Sequence, residues 1–311
     1  MMPALVHIGY HKTATSWFQE RFYPHVANAA LVPRKLVRSA IIEPDAFSFS
    51  ADHARRVILA FARGKRPLLC EENLSGYLHN GGLGGLLSRE VADRLAAVFP
   101  DAQIVVLLRS QPSMVAAAYA QYVAAGGTYS LSRYAGLKAE KGIRKYWYKA
   151  PAFSLDQLRY QPLLDHYAQR FGKAAVRVYL FEEMAADSRA FAQRFAAAHA
   201  LDVDLELLDY SAVNRSLSPR QLRILAQLNL FTDRSVPNKR WLANRTDWYA
   251  RRWTWLRRIE RLAGFCYSDA PLLSPEQGAR VASTFAGSNQ ALQNSWLLPL
   301  EGAGYPVGNQ T

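Results

Sequence analysis

Short apolar segments that each end in a polar loop alternate with helical stretches along the first two thirds of the chain. The segments 4–9, 67–70, 103–108 and 176–180 have the length and composition of buried strands. Strands that alternate with helices form parallel sheets through right-handed crossovers. The pattern predicts an α/β fold, a three-layer sandwich around a parallel sheet of about five strands, with ligands at the carboxyl ends of the strands.

The segments between these strands predict the helical layers. We expect helices at 51–63, 88–99, 155–171 and 185–198, and mostly helix from about residue 218 onward. A chain of 311 residues lies within the range in which one sheet and its helices fold as a unit. We therefore expect a single domain over residues 1–311, with a helical C-terminal part at about 218–311.

The charge balance favours anionic ligands. Thirty-eight Lys and Arg side chains against 25 Asp and Glu give a net charge of +13, and such a field attracts nucleotides, anionic sugars, nucleic acid or anionic lipid. The chain has no apolar stretch of about 20 residues and its N-terminus does not look like a signal peptide. Cys70 and Cys266 are far apart, which is typical of a reduced protein. These features predict a cytoplasmic protein.

A basic, hydroxyl-rich loop follows the first predicted strand. Lys12 lies there among small and hydroxyl side chains where a helix begins, and the free N–H groups of a helix start attract anions. The loop is not a Walker A motif, because His11 and Val6 occupy the two positions where that motif requires glycine. These features predict a phosphate-binding loop, with the following residues as its members: His11, Lys12, Thr13, Ala14, Thr15, Ser16 and Trp17.

This loop resembles the 5′-phosphosulfate-binding loop of sulfotransferases that use 3′-phosphoadenosine 5′-phosphosulfate (PAPS). The resemblance implies that PAPS is the sulfuryl donor, that 3′-phosphoadenosine 5′-phosphate (PAP) is the product, and that no metal is needed. It implies that Lys12 stabilises the leaving phosphate while Thr13 to Trp17 surround the 5′-phosphate. Ala14 replaces the glycine of the family, which removes some freedom at positive φ.

The second predicted strand ends in Cys70-Glu71-Glu72. This segment is similar to the Ser-x-Glu segment of bacterial and carbohydrate-type sulfotransferases, and alignment of their serine with Cys70 implies that Glu72 is the base. A base that removes the acceptor proton typically contributes about 10² to 10⁴ in rate. Glu71, His79 and His11 remain alternatives for this role.

Arg109 follows the third predicted strand and is suited to bidentate binding of a phosphate. It resembles the arginine of the family's 3′-phosphate element, in which a serine follows eight residues later. Ala117 occupies that position here, so Ser113 or Ser110 would have to supply the hydroxyl. Arg215, before a further predicted helix, would close over the nucleotide.

The acceptor side is predicted from three aromatic or imidazole side chains, His79, Tyr122 and Trp248. Trp248 belongs to a segment, 239–262, in which tryptophans at helical spacing alternate with arginines. Three interpretations stay open for this segment: a platform for a saccharide or glycolipid, a contact with the anionic inner face of a membrane, or a packing helix with a basic outer face.

Together these features predict a sulfotransferase that acts on an acceptor hydroxyl, preferably of a saccharide or glycolipid. A phosphoryl transferase with an altered loop is an alternative and would need Mg²⁺. A non-catalytic protein that binds nucleotides or anionic glycans is another. Nucleic acid is not expected as a partner, because only the charge and the aromatic residues suggest it. The seven histidines are scattered, so no metal site is expected either.

Overall fold

The computed structural model describes residues 2–79, 84–137, 153–211, 213, 217–230 and 271–308. Five strands form one sheet in the order β2-β3-β1-β4-β5, and all neighbouring strands are parallel. The predicted fold class, an α/β sandwich around a five-stranded parallel sheet, is confirmed. The strands are β1 (Leu5–Gly9), β2 (Ala29–Leu31), β3 (Arg66–Cys70), β4 (Gln103–Leu108) and β5 (Val176–Leu180).

Helices cover both faces of the sheet. Two of them, α1 and α2, continue as π-helical turns at Phe18–Phe22 and Arg38–Ile42. Short 3-10 turns occur at Tyr23–His25, Glu72–Ser75, Leu155–Leu158, Lys173–Ala175 and Leu205–Leu207. The α-helices of the described residues are α1 (Thr15–Trp17), α2 (Arg34–Val37), α3 (Ala51–Ala62), α4 (Leu86–Val98), α5 (Gln111–Ala124), α6 (Leu131–Tyr134), α7 (Tyr160–Phe171), α8 (Phe181–Ala186), α9 (Ser188–Ala198), α10 (Pro219–Leu228) and α11 (Pro275–Trp296).

Two apolar layers enclose the sheet, because successive side chains of a strand point to opposite faces. On β4, Ile104 and Val106 pack with residues of α3, α4, α5, α7, α10 and α11. Val105, between them, packs on the other face with the aromatic residues of α1 and α9. The central strands are therefore buried on both sides, which explains their continuous apolar sequences.

Two predicted helices are each split in the structure. The stretch 155–171 consists of a 3-10 turn and α7, separated by Arg159, whose backbone is extended. The stretch 185–198 spans α8 and α9, because Asp187 is extended and its carboxylate accepts the N–H of Ala190 as the N-cap of α9. The sequence prediction missed β2, an edge strand of three residues that pairs with β3 and is too short for a periodic signal.

Some predictions fall on residues outside the described ranges. Arg215, Trp248 and the segment 239–262 are among them, so their proposed roles stay predictions. Within the described part of the chain, no helix is long and apolar enough to cross a bilayer. Among the same residues, no three His, Cys, Asp or Glu side chains come together in a way that would hold a metal ion.

Candidate functional site

The loop after β1, residues 10–14, adopts a backbone suited to binding an anion. Gly9 ends the strand with φ 77°, and both Lys12 and Ala14 have φ 64°. Thr13 is fully buried, and its hydroxyl donates to the carbonyl oxygen of Tyr10 at 2.6 Å, which holds the loop closed. Left-handed residues in such a turn bring successive N–H groups to one side, where they form a concave site for anions.

The hydroxyl of Thr15, in the first turn of α1, has no hydrogen-bond partner among the residues that the structure describes, although it is buried. A buried hydroxyl without a partner costs about 1–3 kcal/mol. The space around it is tight: a Cβ at Gly9 would lie 3.3 Å from the Thr15 Oγ1 and 3.2 Å from the Cα of Glu72. An anionic oxygen bound in this loop would accept a hydrogen bond from the Thr15 hydroxyl.

The loop opens into a cleft of about 700 Å³, which we call the main cleft. Its walls come from the first loop, from α5, from α8 and from Tyr210, Ser211, Val213 and Leu217. The cleft lies above β1 and its neighbours β3 and β4, at the carboxyl edge of the sheet. Eight residues predicted for the site line it together: His11, Lys12, Ala14, Thr15, Ser16, Trp17, Glu72 and Arg109.

Arg109 directly follows β4, and contacts with several residues fix its position. Its Nε donates to the Ser113 hydroxyl at 2.8 Å, and its Nη1 donates to the Lys12 carbonyl at 2.9 Å. The guanidinium lies 4.4 Å from the centre of the Phe181 ring, and the Tyr160 hydroxyl donates to the Arg109 carbonyl. Arg109 thus links β4 to the first loop and keeps further N–H groups for a ligand, since a guanidinium has five.

The two serines considered as replacements for Ala117 differ in position. Ser113 contacts Arg109 directly, as given above. Ser110 is buried, and its hydroxyl donates to the carbonyl of Gly304 at 3.3 Å. Ala117 itself lines the main cleft on α5. The structure therefore favours Ser113 over Ser110, and it leaves the surface at Ala117 without a hydroxyl.

Two cationic side chains, Lys12 and Arg109, line the main cleft, and each makes it less favourable for the other to carry its positive charge. Burial lowers the pKa of Lys12, the positive charge of Arg109 lowers it further, and Glu72 acts in the opposite direction. Burial also lowers the pKa of Arg109, while Glu182 opposes that shift. A bound polyanion would relieve both the mutual repulsion and the loss of hydration.

The two glutamates after β3 have different environments. Glu71 is fully buried, and its carboxylate accepts hydrogen bonds from Arg34 at 2.8 Å and Arg38 at 2.9 Å. Burial favours its protonated form, yet the bonds from Arg34 and Arg38 prevail and lower its pKa. Glu72 is 24% exposed and lines the main cleft, with its Oε1 bonded to Arg34 at 2.7 Å. Glu71 is therefore an anchor, and Glu72 is the carboxylate that faces the cleft.

Sequence reasoning missed Arg34 and Arg38, although a signal was present. They lie four residues apart on α2 and its continuation, so they share one helix face. That face meets the acidic segment that follows β3. A pair of arginines at this spacing could have been matched to the adjacent Glu71 and Glu72, but only the packing of α2 beside β3 shows the contact.

His11 lies between two cavities. Its Nε2 is 2.7 Å from the carbonyl oxygen of Gly76, and because a carbonyl only accepts, the proton resides on Nε2. Burial lowers the pKa of His11, so the ring is neutral near pH 7 and its Nδ1 carries a lone pair. The ring lines the main cleft and also a second cavity of about 500 Å³.

His79 and Tyr122, predicted for the acceptor side, lie near each other but not in the main cleft. Their ring centres are 6.4 Å apart, and the His79 Nδ1 is 3.3 Å from the Tyr134 hydroxyl. The Tyr122 hydroxyl accepts the N–H groups of Thr128 and Tyr129 at 3.2 Å each. In the described part of the chain, Tyr122 thus shapes the turn after α5 rather than the surface of the cleft.

Comparison with known proteins finds likeness to solved structures only. No protein-family model matches the chain, and no curated protein sequence matches it significantly. Among solved structures, a sulfotransferase from Alicyclobacillus acidocaldarius is similar with 19% sequence identity and a TM-score of 0.48, over 74% of this chain and 93% of that chain. At this level of similarity, function has to be inferred from the residues of this chain.

Proposed function

We propose that the protein is a sulfotransferase that moves the sulfuryl group of PAPS to an acceptor hydroxyl. The observation that carries this proposal is the main cleft itself. There the first loop, with its left-handed residues, lines the same space as Arg109 at the end of the neighbouring strand, and the buried Thr15 hydroxyl beside it has no partner among the described residues. Two separate anion-binding groups on adjacent strands suit a nucleotide that carries phosphate at both its 5′ and 3′ positions.

The residues of the cleft fit such a donor. The first loop and the Thr15 hydroxyl would bind the 5′-phosphate, and Arg109, oriented by Ser113, would bind the 3′-phosphate. Lys12 would place its ammonium group beside the leaving phosphate oxygen. The donor supplies an activated sulfuryl group, so the protein's task is positioning and charge stabilisation, as in phosphoryl transfer.

Glu72 is our proposed base. Its Oε1 is bonded to Arg34, which leaves Oε2 for the proton of the acceptor hydroxyl. In the transfer, the acceptor oxygen forms a bond to sulfur, the bond between sulfur and the bridging oxygen breaks, and PAP leaves. The acceptor proton passes to Glu72, and Lys12 balances the charge that develops on the departing phosphate.

The acceptor class proposed from the sequence, a saccharide or glycolipid, depends on the resemblance and on the segment 239–262. Contact with an anionic membrane surface was inferred from the same segment. Both remain predictions, because that segment lies outside the described residues. The described cleft supports the donor half of the proposal.

Calorimetric binding of PAP and of ATP with Mg²⁺ tests the proposal. We expect PAP to bind the wild type at micromolar concentration and to bind Lys12→Ala and Arg109→Ala about 10- to 100-fold more weakly, because each variant removes a charged hydrogen bond worth about 1.5–3 kcal/mol. Lys65→Ala is the matched control, since Lys65 is exposed and directly precedes β3 at the opposite edge of the sheet. A preference for ATP with Mg²⁺ would favour a phosphoryl transferase, and no PAP binding would refute the proposal.

A further inference from the structure

The second cavity, of about 500 Å³, adjoins the first loop but is distinct from the main cleft. It lies between the turn that follows β3, the first turn of α4 and the start of α7. Its walls are mainly apolar, from side chains such as Leu78, Leu158 and Leu163, and Tyr10 and His11 of the first loop border it. A cavity of this size and lining is typical of a site for a small organic molecule.

Among the polar residues that line this cavity is one cation, Arg89, for which the described part of the chain shows no ion pair. Arg89 is exposed and forms no ion pair with any described residue. It lies in the first turn of α4, where the helix dipole disfavours a positive charge. The N-cap of this helix, Gly85, also borders the cavity and provides no side-chain cap. An anionic group beside Arg89 would therefore interact favourably with both the guanidinium and the helix start.

Gln157 is a further polar residue of this wall. The Nε2 of Gln157 is buried and has no hydrogen-bond partner in the described part of the chain, and Gln157 lines the same cavity. Its backbone carbonyl accepts the Tyr10 hydroxyl at 3.4 Å, which ties this wall to the first loop. A buried amide without a partner is costly unless a ligand or a water molecule accepts from it.

His11 connects the two cavities. Its ring borders both, and the bond from Nε2 to the Gly76 carbonyl fixes the ring so that Nδ1 is the nitrogen free to accept a hydrogen bond. A hydroxyl bonded to Nδ1 would thus lie where the second cavity meets the cleft that holds Lys12 and Glu72. The rest of that molecule would occupy the apolar cavity.

We propose that the second cavity is the acceptor site, and that the acceptor is an amphiphile with an apolar body, an anionic group near Arg89 and a hydroxyl held by His11. This inference rests on the proposed function, and it names the acceptor class for that same reaction. The apolar part of the wall would contact the apolar body of the acceptor, and Arg89 and the start of α4 would bind its anionic group. His11 is a positioning residue for the hydroxyl.

The test uses two probes that differ in one charged group, 8-hydroxyoctanoate and octane-1,8-diol. Each is titrated calorimetrically into the full-length protein saturated with PAP. We expect the hydroxy acid to bind at least 10-fold more tightly than the diol, and Arg89→Gln to remove this preference. Leu163→Trp should weaken both probes at least 10-fold, because the larger indole would take up space that the apolar body of the probe needs. Arg56→Gln is the matched control, since Arg56 is exposed on α3 and does not line the cavity.

Binding of PAP in each variant separates this inference from the proposed function and also reports on folding. If PAP binds normally but the two probes bind equally well, or if Arg89→Gln and Leu163→Trp change nothing, the acceptor site lies elsewhere while the donor site stands. If PAP fails to bind the wild type, both proposals are wrong. His11→Asn should weaken both 8-hydroxyoctanoate and octane-1,8-diol and leave the preference for the hydroxy acid intact, because both probes carry the hydroxyl and only one carries the anion. Unchanged binding of both probes in this variant would contradict the role of His11.

Discussion

The substitution Ala117→Ser should strengthen donor binding. Ala117 lies on α5, on the wall of the main cleft, eight residues after Arg109, and the family resemblance places a serine there that bonds the 3′-phosphate. The wild type has Ser113 beside the guanidinium but no hydroxyl at the next turn of the helix. A serine at 117 would add one donor to a charged phosphate oxygen.

The expected gain follows from two opposing effects. A hydrogen bond to a charged acceptor contributes about 1.5–3 kcal/mol. Part of this is lost, because a serine within a helix can bond instead to the carbonyl four residues earlier, that of Ser113. We therefore expect a net gain of about 1–2 kcal/mol, which corresponds to a decrease of about 5- to 30-fold in the Kd for PAP.

Calorimetry with PAP and with adenosine 5′-phosphate measures the effect. The gain should appear with PAP and be absent with adenosine 5′-phosphate, which lacks the 3′-phosphate. Ala120→Ser is the matched control, because Ala120 also lines the main cleft on α5 but occupies a different position along the helix. An unchanged affinity in Ala117→Ser, or an equal gain in Ala120→Ser, would show that the 3′-phosphate does not lie between Arg109 and α5.

Three further predictions concern stability, measured by urea unfolding. Ala14→Gly should change the free energy of unfolding by less than about 0.5 kcal/mol, because relief of the left-handed backbone offsets the added freedom of the unfolded chain. Ala14→Val should lower it by more than about 1 kcal/mol. Glu71→Gln should cost about 2 kcal/mol by leaving Arg34 and Arg38 without their buried carboxylate; an unchanged midpoint would contradict its anchoring role. Burial lowers the pKa of His7 to about 3 and that of His199 to about 4, so as the pH falls the unfolded state binds protons before the folded state does. The free energy of unfolding should therefore decrease as the pH drops from about 6.5 towards 4, by up to about 1.4 kcal/mol per pH unit for each histidine. His7→Gln should flatten this dependence, and equal slopes in variant and wild type would argue against a buried neutral imidazole.

Features that depend on local sequence were predicted well. The apolar segments that became β1, β3, β4 and β5 are long enough to show buried strands, and β4 has the predicted bounds. The members of the first loop from His11 to Trp17 are contiguous, so one turn of the chain brings them together with little help from the rest of the fold. The position of Arg109 beside this loop was predictable for a related reason, because in a parallel sheet the carboxyl ends of neighbouring strands share one edge.

Features that depend on distant contacts were beyond the sequence. Nothing local distinguishes Glu71 from Glu72. The packing of α2 beside β3 made the first a buried partner of Arg34 and Arg38 and left the second facing the main cleft. The sequence predicted Asp187 within one continuous helix, whereas in the structure its carboxylate caps the start of α9.

The chain by itself determined the class of fold and placed the residues of the first loop next to one another, because the first is set by hydrophobic periodicity and the second by adjacency in sequence. The tertiary structure decided which carboxylate faces the cleft, which nitrogen of His11 holds the proton, and that this ring separates the main cleft from a second cavity. Each of these depends on contacts between segments far apart in the chain, such as His11 with Gly76, and such contacts exist only once the helices have packed on the sheet.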